Sequence, residues 1–133
     1  MSASGSVDAG PPPAPPRRKV LVVEDSALLA MLLEDVLEEL GWEVVGPATR
    51  VAAACELARH AEFEVALLDV NLNGEMAWDV AHLLKHRGVP FAFSTGYDGA
   101  IVMPPQFADT PVIAKPYALK EVGRKLRGLA GDR

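Results

Sequence analysis

The sequence predicts an α/β fold, with five parallel strands in one sheet and helices on both of its faces. Short apolar runs, such as Val20-Leu21-Val22-Val23 and Val65-Ala66-Leu67-Leu68, alternate with longer stretches whose apolar residues recur at helical spacing. Runs that are apolar throughout belong to strands covered on both sides, as parallel strands are. Three of these runs also stop on charge: the first at Glu24-Asp25, the third at Asp69, and Val112-Ile113-Ala114 at Lys115. Ligands of open parallel sheets bind beyond the carboxyl ends of the strands, so three such ends can converge on one point.

The elements come in order along the chain. Met1 to Arg18 is expected to be a disordered leader, because Pro11-Pro12-Pro13-Ala14-Pro15-Pro16 favours an extended form with little to bury. It is a solvated tail, or a docking peptide for a proline-reading groove. The folded domain is expected over 19–130. Lys19–Glu24 is the first strand. Ser26–Leu40 is a helix, with Leu29, Leu32, Leu33, Val36 and Leu40 at helical spacing and Gly41 placed to stop it. Glu43–Val45 is the second strand, and alanine-rich Arg50–His60 is a closely packed helix. Glu64–Asp69 is the third strand, and Trp78–His86 a helix that Gly88 and Pro90 end. Pro90–Ser94 and Pro111–Ala114 are strands four and five, and Ala118–Leu129 is the last helix. Between them, Tyr97–Thr110 holds Pro104-Pro105, which cannot sit inside a helix, so the fourth helix is expected to be short or irregular. Five strands and about five helices match the flavodoxin-like strand order 2-1-3-4-5.

Composition narrows the function. The chain has 133 residues, half of them hydrophobic, and a formal net charge of −5 with both signs spread along its length. One domain with a proper core is the expectation. No basic stripe tracks a phosphate backbone, so a direct nucleic-acid partner is not expected. The single cysteine, Cys55, excludes an internal disulfide. The longest apolar run, Ala27 to Leu33, is seven residues and too short to span a bilayer. No secretory signal is evident, and a cytoplasmic protein without membrane contact is expected.

The strand-end charges make one magnesium-dependent phosphate site. Asp69 is the expected nucleophile, since an ionised carboxylate attacks phosphorus without a general base. Asp25 and Asp69 offer oxygens to Mg2+, Glu24 can hold a coordinated water or a hydrogen bond behind it, and the main-chain oxygen of Asn71 completes the set. Lys115 pairs with Asp69 or with the phosphoryl group, Thr95 donates to another phosphoryl oxygen, and Gly96 leaves room for entry. A lone acidic strand end is usually a solvated loop residue, but all of them together, in chain order, outweigh that reading. His82 and His86 lie four apart on a helix without a third metal ligand, and Cys55 reads as helix packing. No GxxxxGK[ST] or GxGxxG segment supports nucleotide binding.

These residues resemble the receiver domain of bacterial two-component response regulators, a CheY-like fold. The resemblance covers Lys19 to about Leu129 and rests on Glu24-Asp25, Asp69 with Asn71, Thr95-Gly96 and Lys115-Pro116. It implies transfer of a phosphoryl group from a kinase phosphohistidine, or from a histidine phosphotransfer protein, onto Asp69 with Mg2+, and later hydrolysis. It also implies a cis Lys115–Pro116 peptide, and a switch built on Thr95, Gly96, Tyr97 and Pro116. Pro90-Phe91-Ala92-Phe93-Ser94-Thr95-Gly96-Tyr97 is similar to the PFxFATGY signature of FATGUY receivers, with Ser94 where alanine is usual. Members are typically stand-alone and served by sensor histidine kinases of the HWE or related type.

Two departures stand out. Three positions before Lys115, where most receivers carry an aromatic ring, the residue is Val112, and Tyr97 is the nearest substitute. The missing fourth helix puts the family's usual output face in doubt, and phosphorylation is expected to order Tyr97–Thr110 for an unknown downstream partner. The leading expectation is a single-domain response regulator that signals by protein binding or drains phosphoryl groups, without true enzymatic turnover. An aspartate-nucleophile phosphatase and a phosphate-independent receiver-like module remain as alternatives; Asn71 stands where such phosphatases place a second aspartate.

Overall fold

A computed structural model describes residues 18–96, 103–115 and 118–131. Residues 1–17 of the leader, Tyr97, and the Lys115–Pro116 peptide with Pro116 lie outside the described residues, as do residues 98–102 of the Tyr97–Thr110 stretch.

Seven strands and four α-helices are described: β1 (Arg18–Val23), α1 (Ala27–Glu39), β2 (Trp42–Ala48), α2 (Val51–His60), β3 (Val65–Asp69), β4 (Asn71–Leu72), β5 (Glu75–Met76), α3 (Trp78–Arg87), β6 (Phe91–Thr95), β7 (Val112–Ala114) and α4 (Leu119–Leu129). The main sheet runs β2-β1-β3-β6-β7 and is parallel throughout. Counting its own strands alone, this is the expected order 2-1-3-4-5. β1 begins at Arg18, assigned to the leader from sequence, because Arg18 pairs with Trp42 on β2.

Successive strand residues point to opposite faces. Leu21, Val23, Ala66, Leu68, Phe91 and Phe93 pack beneath α2 and α3, while Val20, Val22, Val65, Leu67, Ala92 and Ile113 pack against α1 and α4. Each fully buried valine, leucine, isoleucine or phenylalanine among them contributes about 1.5–3 kcal/mol, so the two-sided layer fixes where every strand ends. The alanine-rich α2 does pack closely: Val51, Ala54, Cys55 and Ala58 are buried against α3 and the sheet.

The buried stripe of α1 is Ala30, Leu33 and Leu37. Leu32 and Leu40, expected on it, are 44% and 38% exposed, and Leu28 and Met31 face outward with them. Ser26 caps the helix, its Oγ accepting from Leu29 N at 3.2 Å.

Two turns depend on unusual backbone. Gly46 lies at φ +93°, where β2 shifts register against β1, and a Cβ there would meet Ala48 N at 2.7 Å and Val22 O at 3.2 Å. Both neighbours are backbone and neither can give way, so Gly46→Ala is expected to destabilise by about 2–3 kcal/mol. A urea midpoint within error of wild type would refute this. The second turn joins β4 to β5, a hairpin unforeseen from sequence, through Asn73 at φ 55° and Gly74 at φ 92°. Both positive angles are what a type I′ turn needs, and Asn-Gly is its strongest sequence signal.

Where a helix would join β6 to β7, the described residues form one 3₁₀ turn, Pro105–Phe107, with Phe107 buried. This single short turn is what the prolines led one to expect of the stretch.

Candidate functional site

Strand register brings the charged ends together. Val23 pairs with Leu68 across β1–β3, Asp69 with Ser94 across β3–β6, and Thr95 with Ala114 across β6–β7. Glu24, Asp69, Thr95 and Lys115 therefore succeed one another along a single edge, on strands about 4.8 Å apart.

Glu24 leaves β1 with its amide on Ala48 O at 2.9 Å, which turns its side chain inward, where it is 1% exposed. Its Oε2 accepts from Ser26 N at 3.0 Å, and its Oε1 sits 2.8 Å from the Lys115 ammonium. Asp69, 4% exposed, ends β3; its Oδ2 accepts from Lys115 Nζ at 2.9 Å and its Oδ1 from Asn71 N at 3.3 Å. Asp25 is half-buried, and its Oδ2 accepts from Asn73 N at 3.0 Å. Asn71 uses its side-chain oxygen to take Gly74 N at 2.6 Å, which closes the hairpin beside the site. Lys115 is aimed from its backbone: its amide donates to Thr95 O at 2.7 Å as β7 ends. Thr95 is half-buried at the end of β6, and Gly96 comes next with open space around its α-carbon.

The electrostatics are lopsided. Three carboxylates face one ammonium. Burial, reinforced by the neighbouring Glu24 carboxylate, raises Asp69 to about 7 although its hydrogen bond from Lys115 works the other way. Burial alone would lower Lys115, but its contacts with Glu24 and Asp69 outweigh that and hold it above the usual lysine range. Burial also pushes Asp25 up, yet hydrogen bonding with Glu24, Asn73 and Asp69 leaves it below the usual carboxylate range.

This set fits a hard divalent cation. Glu24, Asp25 and Asp69 each offer an oxygen, and these oxygens lie within 4.8 Å of one another. Oxygen donors with an excess of negative charge are what Mg2+ or Ca2+ selects. Among the described residues no other group of three acids, histidines or cysteines meets that spacing, so His82 and His86 gather no third ligand. His82 instead lies against the Phe107 ring at 5.0 Å. Cys55 is buried, and burial raises its thiol above the ordinary value, as packing rather than reactivity requires. A groove of about 630 Å³ between α2 and α3, lined by Cys55, Arg59, Asp79, His82, Leu83, Lys85 and His86, lies apart from the carboxylates.

The expected residues that are described thus gather at one edge. Two details were not legible from sequence. Glu24 pairs directly with Lys115, and Asn73, whose amide steadies Asp25, belongs to the site; the Asn73-Gly74 step was its available signal. Among the described residues, no helix is long and apolar enough to cross a membrane.

The family model described as response regulator receiver domain matches residues 20–126. The solution structure of SdrG from Sphingomonas melonis Fr1 is 38% identical, with a TM-score of 0.73, covering 86% of this chain and 96% of that one. The BeF3-activated conformation of SdrG from Pseudomonas melonis Fr1 is 39% identical, with a TM-score of 0.69 and coverage of 84% and 95%. The receiver domain of sensor histidine kinase PA1611 from Pseudomonas aeruginosa PAO1, with a magnesium ion in its active-site cleft, shares the fold. It is 22% identical, with a TM-score of 0.76 and coverage of 88% and 100%. No curated protein matched the chain.

Proposed function

The chain belongs to the response regulator receiver domain family, and from that premise we propose a phosphorylation-controlled binding module that takes a phosphoryl group on Asp69. The observation that carries the reading is the bridge from Lys115 Nζ to both Glu24 Oε1 and Asp69 Oδ2, at 2.8 and 2.9 Å. It presents an acceptor carboxylate beside a cation already poised for a new anionic group.

The step balances simply. An Asp69 carboxylate oxygen forms a bond to phosphorus, the phosphorus–nitrogen bond of a phosphohistidine breaks, and the imidazole leaves with the electron pair. The transferring group is metaphosphate-like, so the protein mainly positions it and offsets its charge. Lys115 turns from Asp69 toward a phosphoryl oxygen, and the Thr95 hydroxyl donates to another. Asp25, Asp69 and the main-chain oxygen of Asn71 would hold Mg2+, with Glu24 on a coordinated water; the ion supplies charge neutralisation to the phosphoryl oxygens. Hydrolysis of the acyl phosphate later returns Asp69. Glu24, fixed by Ser26 N, anchors the ammonium as it changes partner.

The donor is a sensor histidine kinase or a histidine phosphotransfer protein. The 90–97 run supports the finer assignment to stand-alone FATGUY receivers, and hence a kinase of the HWE or related type. Asn71, in place of a second acid, argues against turnover of small phosphomonoesters. Radiolabel transfer from purified kinases, HWE members included, tests the reading. Labelling that needs Mg2+ and stops with EDTA is expected. Failure of every kinase and of acetyl phosphate to label the protein in Mg2+ would sink it.

A further inference from the structure

The turn between β4 and β5 holds a bond-forming pair of its own. Asn73 and Gly74 are both exposed, and asparagine followed by glycine is the step of a chain most open to spontaneous deamidation. Glycine permits it because no side chain crowds the attacking nitrogen. The Gly74 nitrogen gives up its proton to solvent and forms a bond to Cγ of Asn73. The Cγ–Nδ2 bond breaks, and ammonia leaves. Water then opens the resulting succinimide at either carbonyl. One opening gives aspartate; the other gives isoaspartate, whose main chain runs through Cβ and is longer by a carbon.

The fold holds this step shut in two ways. Asn73 at φ 55° and Gly74 at φ 92° form a type I′ turn. In such a turn ψ of the first central residue is about +30°, which sets the next nitrogen across the Cα–C bond from Cβ. Ring closure requires that nitrogen on the same side as Cβ. The Gly74 N–H is also engaged already, donating to Asn71 Oδ1 at 2.6 Å. Rotation of Asn73 into the reactive geometry further disturbs its own amide, which donates to Asp25 Oδ2 at 3.0 Å. Little else restrains the turn. A Cβ on Gly74 would meet no atom within 4 Å, and the strands it joins have two residues each. Segments held by a few exposed hydrogen bonds open locally at low cost.

We propose that Asn73 is a modification site gated by this hairpin: closed, the turn withstands deamidation, and each opening exposes the step to conversion into isoaspartate. Asn71 is the positioning residue of the gate, through its side-chain oxygen. The product disables the acid cluster irreversibly. Its longer main chain no longer fits a two-residue turn, and its new carboxylate sits on the α-carbon beside the amide that Asp25 holds, where like charges repel. This consequence rests on Asp25 serving the Mg2+ and phosphoryl site; the gate itself does not.

Ageing the full chain at mildly alkaline pH, in native buffer and in urea, tests it. Mass spectrometry reads the replacement of NH2 by OH, and the chain has only one other asparagine, Asn71. Native conversion at Asn73 is expected to run at least about tenfold slower than conversion in urea. Asn71→Ala should speed the native rate roughly three- to tenfold and leave the urea rate unchanged. Mg2+ at a few times its Kd should slow native conversion about threefold or more. The isoaspartyl fraction, separated by ion exchange, should bind Mg2+ about tenfold more weakly. Equal rates in native buffer and urea, or no acceleration by Asn71→Ala, overturn the gate. Should that variant fail to fold, the native-to-urea ratio and the Mg2+ effect decide. An isoaspartyl fraction that binds Mg2+ and takes up label like fresh protein overturns the disabling consequence. Fresh protein that takes up no label overturns the acceptor reading and leaves the gate standing.

Discussion

Asp69→Asn is expected to bring phosphoryl uptake down to background, the largest single effect in this protein. The amide is nearly isosteric, and its Oδ1 can still accept from Lys115, so the fold and the ammonium position survive. What disappears is an anionic oxygen that can bond to phosphorus. Radiolabel from a phosphorylated kinase measures it directly. Labelling of the variant at the wild-type level would show that some other group accepts the phosphoryl.

The second large effect is on stability and its dependence on pH. Asp69 sits at about 7 in the folded, metal-free protein against an ordinary value of 3.8. The folded state therefore holds a proton on Asp69 more tightly than the unfolded chain does. The resulting stabilisation is complete below pH 4 and is lost as pH rises through about 7. In EDTA, wild type should thus lose stability relative to Asp69→Asn between pH 5 and pH 8. Over that interval only part of the shift is expressed, so about 2 kcal/mol is expected rather than the full value. That corresponds to a Tm roughly 6–10 °C below the variant at pH 8. Millimolar Mg2+ competes with the proton, so it should raise the wild-type Tm at pH 8, do little at pH 5, and help the variant less. Equal Mg2+ shifts at both pH values, or in both proteins, would contradict the assigned cause.

Much of the fold and of the site was legible in the sequence for physical reasons. Strands buried on both faces must be apolar throughout, so their ends are marked by the first charge, and those charges are the site itself. The face of α1 was not legible. Ala27 to Leu33 is apolar without interruption, so periodicity within it cannot choose a side, and packing against α4 and the sheet selects Ala30, Leu33 and Leu37. Lys115 meets Asp69 as expected, but its second partner, Glu24, was hidden, because that contact depends on how β1 turns at Ala48. Phe107 stands in a stretch whose prolines announce only irregularity. Its cleft is built from α3 and β6, and no local pattern foretells a contact made over such a distance in sequence.

The β4–β5 hairpin has one more consequence. Its turn hangs on Asp25 through Asn73 N and on Asn71 through Gly74 N, at 3.0 and 2.6 Å, so it joins the acceptor strand to an acid that lies 48 positions earlier. An inserted or deleted residue would swing Asn71 and Asp25 out of alignment together, since a shift of one position turns every later side chain to the opposite face. The length of this loop is therefore set by the geometry of the site as firmly as its Asn73-Gly74 step is set by the turn.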